Sequence, residues 1–186
     1  MSDPVADPIT ENPVLPTSPF VFVTVGTDHH PYDRLVDACE AWAGRTGYGC
    51  FIQTGTSKQA STVSGSSYLP YPAMAAAMRA ATAVVSHGGP ATIMLARQCG
   101  RVPIVMPRDP ERGEHVDGHQ QKFSRWMAEK GQVILAESID ALDRHLTAAI
   151  ADPDAYRVSS GDDETTAAVN RFAEMVDDLI ARKRLR

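Results

Sequence analysis

At 186 residues, with 43% hydrophobic and 22% charged side chains, the chain has the size and composition of one ordinary globular domain. Its net charge of −5 argues against a general nucleic-acid binder, whose affinity rests on basic groups meeting phosphates. No apolar run reaches the roughly eighteen residues of a membrane span and no secretory leader is expected; Cys39, Cys50 and Cys99, without CxxC spacing, read as reduced, mostly buried thiols of a cytosolic protein.

Residues 1–18 hold four prolines and no sustained periodicity, and are expected to be a disordered or loosely docked lead-in. "FVFVTV" (20–25) is a continuous β-branched apolar run, the mark of a strand buried on both faces. "GTDHHP" interrupts it, and Leu35, Val36, Cys39 and Trp42 then recur at helical spacing within 32–43. "GCFIQT" (49–54) is the next buried strand. The serine-rich stretch 57–67 reads as loop, "YLP" (68–70) as a short strand, and 73–81 as an alanine-rich helix. Further along, 82–87, 102–107 and 132–137 read as strands, and 90–99, 119–130 and 139–150 as helices. A last helix over 165–183 follows the polar break "SSGDDE" and ends in the basic "ARKRLR".

This alternation predicts an α/β fold: a Rossmann-like open parallel sheet with helices on both faces. The expected divisions are the lead-in 1–18, a ligand-binding domain 19–155, and a linker with a C-terminal basic helix 156–186. Ligands of such sheets bind at the carboxyl ends of the strands. The glycine- and histidine-rich breaks fall there: Gly26-Thr27, Thr54-Gly55 and His87-Gly88-Gly89, together with the loop 108–118 that Arg108 opens.

The chemistry narrows by exclusion. The first turn, "VGTDHHP", is no GxGxxG, and no GxxxxGK[ST] or GxSxG motif occurs. "GEHVDGH" gathers Glu114, His115, Asp117 and His119. Gly118 argues against a helix that would align the two histidines, and the Glu of HExxH is missing, so a polar ligand-touching loop is expected and no metal. What remains is "SHGGPAT". Its glycines free the backbone and Pro90 suits the first helical turn, where orphan N–H groups and the helix dipole favour an anion such as phosphate. Two readings of this turn stand open, an anion site and a ligand-free βα connection. Thr92 adds a hydroxyl, and Gln120 and Gln121 in a helix's first turn suit sugar hydroxyls or simply solvent. His29 and His30 are candidate acid/base groups or caps, and His87 is a ligand contact or a hydrogen-bonded core residue.

"SHGGPAT … GRVPIVMPR … GEHVDGHQQKF", with "TVGTDHHPYDRLV" and "QTGTS", resembles the C-terminal, donor-binding half of glycosyltransferase family 28 over about residues 20–150. The likeness is to its stand-alone subunits, of the PssE exopolysaccharide type and of the two-part dolichol-linked N-acetylglucosamine transferase. It implies half of a GT-B fold, a UDP-sugar substrate, no cofactor or metal, and glycosyl transfer to a lipid-linked acceptor. It would set Gly88, Gly89 and Thr92 against the pyrophosphate and Leu69 near the uracil. His119, Gln120 and Gln121 would meet the sugar, and Gly26 and Thr27 would form the floor facing the other half. Leu95 stands where the family usually has an acidic residue for the ribose hydroxyls; leaving these unpaired costs on the order of 1–3 kcal/mol.

Eighteen residues cannot supply the family's acceptor-binding half. The expectation is therefore a hexosyltransferase subunit active only with a membrane-associated partner that supplies the general base, cytoplasmic and peripheral to the inner membrane face through that partner. "ARKRLR" is the expected dock, and a homodimer is an open alternative. The competing readings are a non-catalytic nucleotide-sugar-binding or scaffolding subunit and an unrelated phosphate-ester enzyme.

Overall fold

The computed structural model describes residues 13–17 and 19–158. The expected helix at 165–183, the basic tail and most of the lead-in lie outside the described residues. In chain order the elements are β1 (Phe20–Thr24), α1 (Asp33–Thr46), β2 (Gly49–Gln53), β3 (Ser64–Ser66), α2 (Tyr71–Ala80), β4 (Ala83–Ser86), α3 (Pro90–Gln98), β5 (Ile104–Val105), α4 (His119–Glu129), β6 (Ile134–Leu135) and α5 (Ile139–Ala151). The strands form one parallel sheet in the order β3-β2-β1-β4-β5-β6, the doubly wound arrangement.

β1 explains the two layers. Val21, Val23 and Val25 point to one face, where Leu35, Val36, Cys39 and Trp42 of α1 and Leu142, Leu146 and Ala149 of α5 cover them. Phe20 and Phe22 point to the other, with Phe51 of β2, and meet the small Ala73, Ala75 and Ala77 of α2. Small side chains opposite large rings keep that layer close-packed. A third cluster, Ile93, Val105, Met127 and Val133, seats α4.

Two expectations need correction. "YLP" is not a strand; the third strand lies earlier, at Ser64–Ser66, inside the stretch expected to be loop. Ser-Gly-Ser carries no apolar signal because the strand is an exposed edge, paired only with β2. It is placed by Glu40 of α1, whose carboxylate accepts the Ser61 and Thr62 N–H groups at 2.6 Å each. The later strands are also shorter than their apolar runs, since β5 and β6 pair over two residues each.

Candidate functional site

In the order 3-2-1-4-5-6 the chain leaves β1 and β4 in opposite directions, and the crevice between their carboxyl ends is the natural ligand position. An open cleft of about 400 Å³ lies there. Its floor is Thr24, Gly26 and Thr27, one wall is His87 with Gly89, Pro90, Ala91 and Thr92, and the other is Tyr68, Leu69, Tyr71 and Met74.

Three side chains build the turns beneath it. Gln53, at the end of β2, accepts the Thr24 hydroxyl at 2.5 Å and donates to the Gly26 and Ser67 carbonyls at 3.1 and 2.9 Å. His87 folds back between two glycines: a β-carbon on Gly26 would lie 2.6 Å from its ring, and one on Gly89 would lie 2.4 Å from Nε2. Gly26 and Gly88 also have φ of +82° and +93°, which a side chain would strain. The glycine pair of the sequence is thus explained: Gly89 makes room for the histidine before it, and Gly88 turns the chain. Ser124 of α4, whose Oγ would sit 2.9 Å from a Gly88 β-carbon, backs that turn.

The His87 ring is 7% exposed. Burial first, then the Arg108 charge, pushes its pKa down to about 4, so it is neutral at neutral pH. Nδ1 faces the Thr24 carbonyl at 3.4 Å, which accepts only; Nδ1 therefore carries the proton and Nε2 the lone pair.

α3 begins in the cleft without a side-chain cap. Pro90 has no N–H, and Ile93 N–H is taken by the Gly89 carbonyl. The N–H groups of Ala91 and Thr92 have no partner among the described residues, and both residues line the cleft. An uncapped positive helix end facing a crevice can hold an anion.

Among the residues singled out in the sequence, Gly26, Thr27, Leu69, His87, Gly89 and Thr92 meet in this cleft, with Gly88 one residue behind. Thr54 and Gly55 lie beneath it: Thr54 is fully buried, and a β-carbon on Gly55 would come within 2.4 Å of the Gly26 carbonyl. Arg108 is fully buried as a strut. Its guanidinium donates to the carbonyls of His30, Val25 and Glu114 at 2.6, 2.8 and 2.9 Å, tying the turn after β1 to the loop after β5. Glu114 is committed as well, accepting Arg34 at 2.8 and 2.7 Å and the Asp109 N–H at 2.8 Å.

His119, Gln120 and Gln121 do not line the cleft. His119 is exposed and paired with Asp117, Gln120 turns inward and is 6% exposed, and Gln121 lines a separate small pocket with Arg34, Arg112 and Arg125. Asp28 holds His30, accepting its N–H at 2.8 Å and lying 2.6 Å from Nδ1, whereas His29 is exposed. Leu95 is 6% exposed and packs into the apolar cluster that includes Leu69, Met78 and Val84. Sequence reasoning missed the wall formed by Tyr68, Tyr71 and Met74. The signal was the pair of tyrosines in "YLPYP", of which Tyr68 is 44% and Tyr71 65% exposed.

Comparison with known proteins bears on the family and the fold. Residues 20–179 match the model of the glycosyltransferase family 28 C-terminal domain. No curated protein sequence matches. Among solved structures, the chain is similar to CalG4, the calicheamicin glycosyltransferase, with TM-score 0.65 and 15% identity over 92% of this chain and 44% of that one. It is similar to the glycotransferase of kitacinnamycin, with TM-score 0.59 and 16% identity over 78% and 38%. Acinetobacter baumannii MurG gives TM-score 0.52 and 14% identity over 75% and 43%. The chain spans less than half the length of each, and at these identities the likeness is one of fold. Among the described residues no helix is long and apolar enough to cross a membrane.

Proposed function

The chain belongs to glycosyltransferase family 28, as its C-terminal domain, and from that premise we propose that it is the donor-binding subunit of a two-component glycosyltransferase. The donor is a UDP-sugar and the acceptor a lipid-linked glycan. The observation that carries this reading is the uncapped start of α3, whose free N–H groups open into the cleft between β1 and β4.

In this reading the diphosphate lies against Ala91 and Thr92, beside the turns that Gly26 and Gly89 make around the His87 ring. As the bond between the sugar's anomeric carbon and the β-phosphate oxygen breaks, negative charge grows on that phosphate, and the fixed helix dipole stabilises it without reorganising. The acceptor hydroxyl oxygen bonds to the anomeric carbon, and its proton passes to a base on the membrane-associated partner. Tyr68, Leu69 and Tyr71 offer a flat apolar wall for the base of the nucleotide.

The test is calorimetric titration of the full chain with UDP and then with UDP-glucose, UDP-glucuronate and UDP-N-acetylglucosamine. UDP is expected to bind, with one sugar nucleotide preferred; absence of binding by all four overturns the donor-site reading. The second reading, a non-catalytic nucleotide-sugar-binding subunit, is favoured by Leu95, which presents no acceptor for the ribose. Turnover by the chain reconstituted with its partner excludes it.

A further inference from the structure

The loop after β5 and the turn after β1 bring two histidine-carboxylate groups to the carboxyl end of the sheet. Asp28, His29 and His30 form one, and His115, Asp117 and His119 the other; within each, one possible ligand atom per residue lies within 4.8 Å of the rest. The sequence argued against a metal here because Gly118 prevents a helix from aligning His115 with His119. The structure removes that objection. α4 begins only at His119, yet the loop folds the two rings edge to face, with centroids 4.7 Å apart.

His115 is the centre of the arrangement. Its side chain is 8% exposed, and each ring nitrogen faces a carboxylate just beyond hydrogen-bond reach: Nε2 to Asp28 Oδ2 at 3.7 Å, and Nδ1 to Asp117 Oδ1 at 3.8 Å. Its one hydrogen bond among the described residues is a long one, from the Asp117 N–H to Nδ1 at 3.4 Å. Among the described residues Nε2 makes no hydrogen bond, and Nδ1 makes only that long one. The separation of His115 Nδ1 from Asp117 Oδ1 suits a shared cation, because two ligands on one tetrahedral zinc lie about 3.4 Å apart, and the cation would take the place of the direct His119–Asp117 hydrogen bond.

We propose that His115 Nδ1, the Asp117 carboxylate and the His119 ring bind a divalent transition-metal cation of the zinc class, with Asp28 orienting His115 from behind. Nitrogen and carboxylate donors suit Zn²⁺, Co²⁺ or Ni²⁺ better than a hard cation. Asp28 supplies what a metal-bound histidine ordinarily has, a carboxylate facing its second nitrogen. Asp117 and His119 are exposed, so the cation enters from solvent and keeps open positions. Glu114 takes no part, being committed to Arg34. The site lies outside the cleft, on the loop that leads into α4, and metal uptake and UDP binding are read separately, so failure of one reading is distinguishable from failure of the other.

The test uses the untagged full chain, stripped with chelator and titrated with Zn²⁺ by calorimetry and with Co²⁺ by visible absorption. One equivalent is expected to bind with Kd in the micromolar range or tighter. His119→Ala, an exposed change that leaves the core untouched, is expected to weaken binding at least tenfold, and His115→Ala by more. Asp28→Asn is expected to weaken it about tenfold, while His29→Ala, and His145→Ala on α5, leave it unchanged. Absence of uptake by the wild-type chain overturns the proposal. So does uptake that survives both His115→Ala and His119→Ala, or that His29→Ala alone abolishes. Unfolding midpoints of the stripped variants separate loss of ligand from loss of fold.

Discussion

The His87 ring occupies the space that a side chain on Gly89 would need, with Nε2 2.4 Å from the would-be β-carbon. Gly89→Ala is therefore expected to force the ring out and to destabilise the chain by about 1–3 kcal/mol, the usual cost of overpacking. Removing the ring as well, in His87→Ala/Gly89→Ala, should recover part of the loss. A double-mutant cycle from urea unfolding checks this, and additive effects would show that the two residues are not coupled.

Acid is expected to weaken the fold through the same ring. His87 titrates near 4 in the folded chain and near 6.5 unfolded, so the unfolded state binds its proton first as pH falls. Its contribution is fully present above 6.5 and fades as pH drops toward 4, by at most about 3 kcal/mol. Unfolding free energies at pH 7 and 4.5 for the wild type and His87→Gln measure it. The difference between the two pH values should be smaller in the variant.

Arg108→Lys keeps the charge but not the fork that spans three carbonyls. With two or three buried carbonyls deprived of a donor, a loss of about 2–4 kcal/mol is expected. Because the turn carrying Gly26 would loosen, UDP affinity should fall too, although Arg108 does not line the cleft. Thermal unfolding and calorimetry on one preparation read both. An unchanged melting temperature would contradict the strut role.

Leu95 gives the sharpest ligand test. With an apolar side chain packed beside Leu69, the chain has no acceptor at that position, so UDP and 2′-deoxy-UDP should bind within about threefold of each other. Leu95→Glu places a carboxylate among apolar neighbours and is expected to cost about 1–3 kcal/mol of stability. Tenfold or greater preference for UDP in the wild type would mean that another residue holds the ribose.

The sheet was legible in the sequence because β1, β2 and β4 are buried on both faces and announce themselves as unbroken apolar runs. β3 was not, since an exposed Ser-Gly-Ser edge strand is placed by Glu40 and the sheet rather than by its own residues. In the cleft, the glycine turns and the helix start could be read from residue type and order. The roles of Gln53, Arg108 and Ser124 could not. Each acts on backbone from a distant part of the chain, and no local pattern records that. The same reason hid the meeting of His115 with Asp28, which lie on loops after different strands.

The pairing of β1 with β4 also bears on when the cleft comes into being. The Gly26 turn is held by Gln53, 27 residues away, and the His87 ring meets Thr24 across 63. None of these contacts is available to a chain in which only neighbouring segments have met, and closures over such distances are slow steps of folding. A growing or half-collapsed chain therefore has helices and hairpin-length contacts but no crevice for a ligand. Nucleotide capture would then mark the completed sheet, and would report the last stage of folding rather than assist the first.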